Sequence, residues 1–179
     1  GNINATGRGG GAGIGAGDAR YGQGTIKISD AHVIAMGSTQ SGGYGSAGIG
    51  GGGSIGTGSA YAGGNILINS GYIEAYGALG EAPRDSGDGI GDGGGYTKGE
   101  TSTFSTGANG CAMIFAYSGD DSGKAIADTS GKENLAWSGI IFENGVGGVY
   151  GDQTLTFDLT IASGQSLVIP ENTALTVPQ

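Results

Sequence analysis

The stretch that decides the fold reads GNILINSGYIEAYG over residues 64–77, and it matches GTIKISDAHVIAMG over residues 24–37 at an offset of 40. Both stretches contain two short segments in which apolar residues alternate with others, and a polar turn separates the segments. Alternation with a period of two is typical of β-strands that are buried on one face. The repeat therefore predicts stacked copies of one β unit.

A second repeated motif precedes each strand pair. It reads GAGIG over residues 11–15, SAGIG over 46–50 and GDGIG over 87–91, with a weaker copy around Ile126. Each unit of roughly 30 to 40 residues then holds three short strands, as in one coil of a parallel β-solenoid with Gly-rich loops. The predicted inward residues stack on their counterparts in the next coil: Ile26 on Ile66, Ile28 on Ile68, Val33 on Ile73, and Ala35 on Ala75.

Glycine makes up a quarter of the chain, 44 of 179 residues, a share that borders on the composition of disordered proteins. The apolar residues nevertheless lie in alternating runs, and only 13% of the residues are charged, which favours a packed fold. A helical fold is disfavoured because each interior glycine costs a helix about 1 kcal/mol. We expect the glycines at corners with positive φ and where neighbouring coils approach closely.

The chain is predicted to form a single β domain over residues 1–179. Long-loop Gly-rich coils are expected over residues 1–134, and tighter coils or a cap over 135–179, where Leu159, Leu167 and Leu175 are eight residues apart. Residues 2–7 match the second strand of a unit, and no basic and apolar leader opens the chain. We therefore expect a fragment of a larger protein.

The GAGIG and GGNILINSG segments resemble the Gly-rich repeat regions of large secreted or cell-wall-anchored proteins of Gram-positive bacteria, often gut Firmicutes. The tail from Gly139 to Pro178 is similar to the segment that often follows such repeats. The resemblance spans almost the whole chain. It implies a right-handed parallel β-helix of the pectate-lyase-like type, an extracellular location, either secreted or attached to the cell wall, and a role in carbohydrate binding or adhesion.

The charge distribution argues against two classes of partner. The net charge is −9, and all of it arises in residues 81–179. No basic stripe is available to neutralise phosphates, so nucleic acid and anionic lipid are not expected partners. No run approaches the ~18 to 20 apolar residues of a membrane span, so membrane insertion is not expected. Cys111 is the only cysteine, which excludes an intrachain disulfide, and we expect it to be a small buried side chain.

Catalytic residues are not expected. His32, the only histidine, should point outward and be either solvated or stacked on side chains of the neighbouring coil, and the Asp120–Asp121 pair is expected in a solvated loop. Pectin-cleaving β-helix hydrolases add Gly-His-Gly and Arg-Ile-Lys segments to their aspartates, and this chain has neither. Lyases on that fold combine Ca²⁺-binding acids with a basic residue, but no lysine falls in a repeat strand near an acidic cluster.

The outward face of the second strand in each coil gives the best binding hypothesis. Stacking should place a mainly apolar set of side chains side by side, and tyrosine packs well against sugar rings. The alternative is that a loop, 38–45 or 78–87, folds over this set. The candidate ligand-binding residues are His32, Ile34, Met36, Tyr72, Glu74 and Tyr76.

A calcium site is a second hypothesis. Asp88 and Asp92 replace small residues of the earlier motifs, and Asp85 lies nearby. Three carboxylates on a flexible Gly-rich loop suit a hard cation such as Ca²⁺. The alternative is an ordinary acidic loop, and no other cofactor is expected.

These observations favour a non-catalytic extracellular binding or adhesion module that recognises a polysaccharide or a cell-surface glycan. A structural spacer stalk is the main alternative. The absence of the Gly-His-Gly and Arg-Ile-Lys segments, and of a lysine in a repeat strand near an acidic cluster, argues against a polysaccharide hydrolase or lyase. An ice-binding role is weaker still, because no regular outward Thr-x-Thr ladder runs through the coils.

Overall fold

The computed structural model consists of short β-strands separated by Gly-rich loops. It describes residues 1–17, 24–55, 58–59, 62–96, 102–127 and 137–178. The predicted all-β fold with parallel sheets is confirmed. No described residue belongs to a helix long and apolar enough to cross a membrane. The strands are β1 (Asn2–Thr6), β2 (Ile14–Gly15), β3 (Thr25–Ile28), β4 (Ala31–Met36), β5 (Ile49–Gly50), β6 (Asn65–Ile68), β7 (Gly71–Tyr76), β8 (Ile90–Gly91), β9 (Thr103–Thr106), β10 (Ala112–Tyr117), β11 (Gly139–Glu143), β12 (Val146–Tyr150), β13 (Gln153–Thr154), β14 (Ser166–Val168) and β15 (Leu175–Thr176).

Strands β13 and β15 form a small parallel sheet, and strands that recur in the same order along the chain form three larger sheets. Two of them have three strands each, in the orders β2-β5-β8 and β3-β6-β9. The third is a seven-stranded long sheet in the order β1-β4-β7-β10-β11-β12-β14, in which only β11 and β12 pair antiparallel. The pairing of Ile26 with Ile66 and of Val33 with Ile73 confirms the register predicted from the offset of 40.

The Gly-Ile-Gly motifs form one column. Ile14 pairs with Ile49, Ile49 with Ile90, and an isolated parallel bridge joins Ile90 to Ile126, which confirms the weak fourth copy. The glycine after each of the first three isoleucines has φ between +134° and +145°, which L-residues with a side chain rarely adopt. A Cβ on Gly50 would also lie 2.0 Å from the carbonyl oxygen of Gly91. Glycine is therefore required by both backbone conformation and close approach.

The first core lies between the three larger sheets. It contains every predicted inward residue, with Ile26 at its edge, and the side chains of Val33, Ile49, Ile68 and Ile73 are fully buried. Alternation explains this core. Every second residue of a strand points inward, where it packs beside the equivalent residue of the neighbouring strand in the same sheet. Burial of this apolar surface is the main stabilising contribution of the repeat.

A second core covers part of the opposite face of the long sheet. Asn144 and Gly145 both have positive φ, the geometry of a tight hairpin turn, and they reverse the chain between β11 and β12. Leucine side chains from residues 155–175 then pack against that face of the long sheet. The second core comprises Met113, Phe115, Ile140, Phe142 and Val149, with Leu155, Leu159, Leu167 and Leu175 packed against it.

Candidate functional site

The outward residues of β4 and β7 lie side by side on the long sheet. Val33, Ala35, Ile73 and Ala75 are fully buried in the first core, which turns their neighbours along each strand to the opposite face. Parallel pairing then places the outward residues beside one another: His32 beside Tyr72, Ile34 beside Glu74, and Met36 beside Tyr76. We call these six residues the outer strip.

Solvent reaches the outer strip mainly from the β4 side. His32 is exposed and Met36 is 41% exposed, whereas the other four residues are half-buried. By contrast, the outward face of the β3-β6-β9 sheet is mainly polar. On that face the hydroxyl of Thr103 donates to the Asn65 side chain at 2.8 Å. The outer strip is thus a distinct apolar patch that bears one carboxylate.

Aromatic residues of β10 extend the outer strip, and the sequence prediction omits them. The rings of Tyr76 and Tyr117 stack with a 5.1 Å separation and a 10° angle, and Tyr72 lies 5.4 Å from Phe115. Residues 113–117 match residues 72–76 at an offset of 41, the same spacing that separates Ile49 from Ile90. That spacing was the signal that could have revealed β10.

The tail defines one boundary of the outer strip. Phe157 packs edge-on against Tyr72 with a 5.8 Å separation, and the Gln165 amide donates to the Tyr117 hydroxyl at 3.0 Å. The two loops considered as covers, 38–45 and 78–87, instead bond to each other. The Glu81 amide, for example, donates to the carbonyl of Gly43 at 3.1 Å. The tail therefore limits access to the outer strip at Tyr72 and at the neighbouring Tyr117.

Glu74 places a negative charge at the centre of the outer strip. The Tyr76 hydroxyl donates to its Oε2 atom at 2.7 Å. Burial, followed by hydrogen bonding to Glu74 and the charge of that residue, raises the pKa of Tyr72 to about 12. The same causes raise the pKa of Tyr76, and burial followed by the Glu74 charge raises that of Tyr117. The tyrosines therefore remain neutral hydrogen-bond donors at physiological pH.

The three aspartates of the calcium hypothesis occupy different environments. Asp88 is buried, and its two oxygens accept backbone N–H bonds from Lys124 at 2.7 Å and Asp92 at 2.9 Å. The Asp92 carboxylate accepts bonds from the backbone and the hydroxyl of Ser102, while Asp85 is exposed. Within the described ranges, no three His, Cys, Asp or Glu side chains lie together as potential metal ligands. The calcium site stays a prediction.

Burial also dominates the electrostatics of Asp88. It raises the pKa of that carboxyl to about 6, against the two backbone N–H bonds, which favour the ionised form. The side chain fixes the loop from Lys124 to the Gly-Ile-Gly column. A structural role thus accounts for an acid at a position where the first two motifs have alanine, Ala12 and Ala47.

Two open clefts flank the loops. One of about 630 Å³ follows the ends of β7 and β10 and is lined by Leu79, Glu81, Arg84 and Asp120, among others. Another of about 480 Å³ is lined in part by Cys111. The expectation that Cys111 is buried is wrong: the thiol is exposed, because residue 111 occupies the polar corner before β10 that Ser70 occupies before β7.

The last candidates for catalytic chemistry are His32 and the Asp120–Asp121 pair. His32 is exposed and its ring meets Tyr72 edge-on at 4.9 Å, so its predicted outward direction is confirmed. Asp120 and Asp121 are exposed, as predicted. The hydroxyl and amide of Ser122 donate to the Asp120 carboxylate, and these bonds lower the pKa of that group.

Comparison of the chain with protein-family models, with curated proteins and with solved structures finds no match. The resemblance to Gly-rich bacterial surface repeats therefore stays a prediction.

Proposed function

We propose that this chain is a right-handed parallel β-helix that acts as a non-catalytic carbohydrate-binding or adhesion module outside the cell, secreted or attached to the cell wall. The outer strip is the binding surface. The observation that carries this proposal is the arrangement of two half-buried aromatic side chains, Tyr72 and Tyr76, on either side of the hydrogen-bonding carboxylate of Glu74.

The chemistry of the outer strip suits a sugar chain. The apolar C–H faces of a sugar ring pack against aromatic rings, and its hydroxyls donate to carboxylates. The strip is longer along its strands, roughly 13 Å over four residues, than across the two strands, which lie about 4.8 Å apart, so several side chains can contact consecutive parts of an extended ligand. Rigid strands hold these side chains before binding, which reduces the entropic cost of association.

The parallel stacking of repeats also supports the second candidate, a spacer stalk. In β1 to β10 each strand pairs with its counterpart in an adjacent repeat, an arrangement that extends by addition of further units. A stalk needs no ligand, so the two functions make different predictions about binding. A polysaccharide-cleaving activity would be detected as release of reducing or unsaturated sugars.

A glycan-array measurement tests the proposal. We expect the parent protein to bind one or more polysaccharides and the Tyr72→Ala/Tyr76→Ala double variant to lose at least roughly tenfold in affinity, since each aromatic contact contributes about 1 kcal/mol. Tyr96→Ala is the matched control, because Tyr96 is 68% exposed and outside the outer strip.

Near-ultraviolet circular dichroism and thermal unfolding must show that the double variant is folded, since Tyr72 also contacts the tail. Equal binding by the folded double variant and the parent would contradict the proposal. The absence of binding to any glycan would favour the spacer stalk.

A further inference from the structure

We propose that the outer strip prefers a positively charged sugar, an amine-bearing glycan such as an oligomer of glucosamine, over neutral or acidic glycans. This inference rests on the proposed carbohydrate-binding function and names the class of ligand. It follows from the position of Glu74, from the side chains around that carboxylate and from the charge of the chain.

Glu74 is surrounded by apolar and aromatic residues. It pairs with Ile34 on one neighbouring strand and with Phe115 on the other, and Tyr72 and Tyr76 flank it on the same face of β7. No lysine or arginine in the described parts of the chain forms an ion pair with it, and the bond from Tyr76 is neutral. The carboxylate is thus half-buried, with hydrogen-bonding but no countercharge from these residues.

An ammonium group supplies the missing countercharge. It donates charge-assisted hydrogen bonds to a carboxylate, which are roughly twice as strong as neutral ones. The faces of aromatic rings attract cations as well, and this contribution increases when the cation is partly desolvated. Aromatic residues around a carboxylate therefore favour an amine over the N-acetyl group of an otherwise identical sugar.

The charge of the whole chain acts in the same direction. A net charge of −9 attracts a polycation at long range and repels a polyuronate. Acidic polysaccharides would also bring a carboxylate close to that of Glu74, with the repulsion that like charges experience. Both effects weaken as the salt concentration increases.

Calorimetric titration with three ligands of equal length tests this preference: hexamers of glucosamine, N-acetylglucosamine and galacturonic acid, at about pH 5, where the amine of a sugar is protonated. We expect the parent to bind the glucosamine hexamer roughly tenfold more tightly than the N-acetylated one, and more weakly in high salt. Glu74→Gln should reduce that ratio to about one while keeping the shape of the site.

The control is Glu171→Gln, which removes the same charge from an exposed residue of the tail and should keep the preference. A Glu74→Gln protein that retains the tenfold ratio would overturn the inference, as would equal binding of the two glucosamine-based hexamers by the parent. In both cases glycan binding itself, and so the proposed function, would stand. Lack of binding by the parent to all three ligands and to a wider glycan array would overturn both.

Discussion

The carbonyl oxygen of Gly91 lies 2.0 Å from the position that a Cβ atom on Gly50 would occupy. The two glycines belong to paired strands, β5 and β8, and their φ angles are +136° and +145°. Close stacking of the Gly-Ile-Gly column thus depends on the absence of side chains at these positions. This relationship explains why glycine is abundant in a packed fold.

Gly50→Ala should reduce the free energy of unfolding by about 3 kcal/mol or more, since the added methyl group meets backbone and the backbone angle is strained for alanine. Gly17→Ala is the control, because no heavy atom lies within 4 Å of its Cβ position. Denaturant unfolding of both variants gives the two free energies. Equal stability of the two variants would show that the column is not closely packed.

The second core gives a prediction about the tail. Phe142 is fully buried and stacks on Phe115 at 4.6 Å, so Phe142→Ala should cost about 3 to 5 kcal/mol. Phe157→Ala removes the same side chain where it is 37% exposed, and it should cost much less. Thermal unfolding measures both effects. Similar losses would mean that the tail does not cover Phe142 as described.

Asp88 should make stability depend on pH. The pKa of its carboxyl is about 6 in the folded state, above the ordinary value of about 3.8 that applies after unfolding. A raised folded-state pKa means that the folded protein binds the proton more tightly. The contribution is therefore fully present below about pH 3.8 and is lost as the pH rises through about 6.

Comparison of the parent with Asp88→Ala isolates this contribution. The unfolding free energy of the parent, relative to that of Asp88→Ala, should increase by up to about 3 kcal/mol as the pH falls from about 7 to about 4. Urea unfolding at several pH values measures it. A shift in the opposite direction would indicate that the backbone N–H bonds to Asp88 outweigh the cost of burial.

Repetition made part of this fold predictable from sequence. Ile66 and Ile68 recur 40 residues after Ile26 and Ile28, so register and inward direction follow from alternation alone. In β10, both faces are apolar because Met113 and Phe115 face the second core, and the alternation that identifies a strand is lost.

The placement of the tail depends on contacts between distant residues. Its eight-residue leucine spacing predicts an apolar stripe, but it does not identify the face of the sheet that the stripe covers. The six residues of the outer strip were predicted together because they belong to the repeat. Phe157 and Gln165 reach its boundary from the tail, which the repeat does not describe.

The methyl resonances of the two methionines test binding at the outer strip most directly. Met36 lies in the outer strip and is 41% exposed, whereas Met113 is 2% exposed beneath the tail. In a protein labelled with ¹³C at the methionine methyl groups, titration with the best-binding glycan should shift the Met36 signal progressively and leave that of Met113 nearly unchanged. Saturable glycan binding without any shift of Met36 would contradict the account, because the sugar would then bind elsewhere.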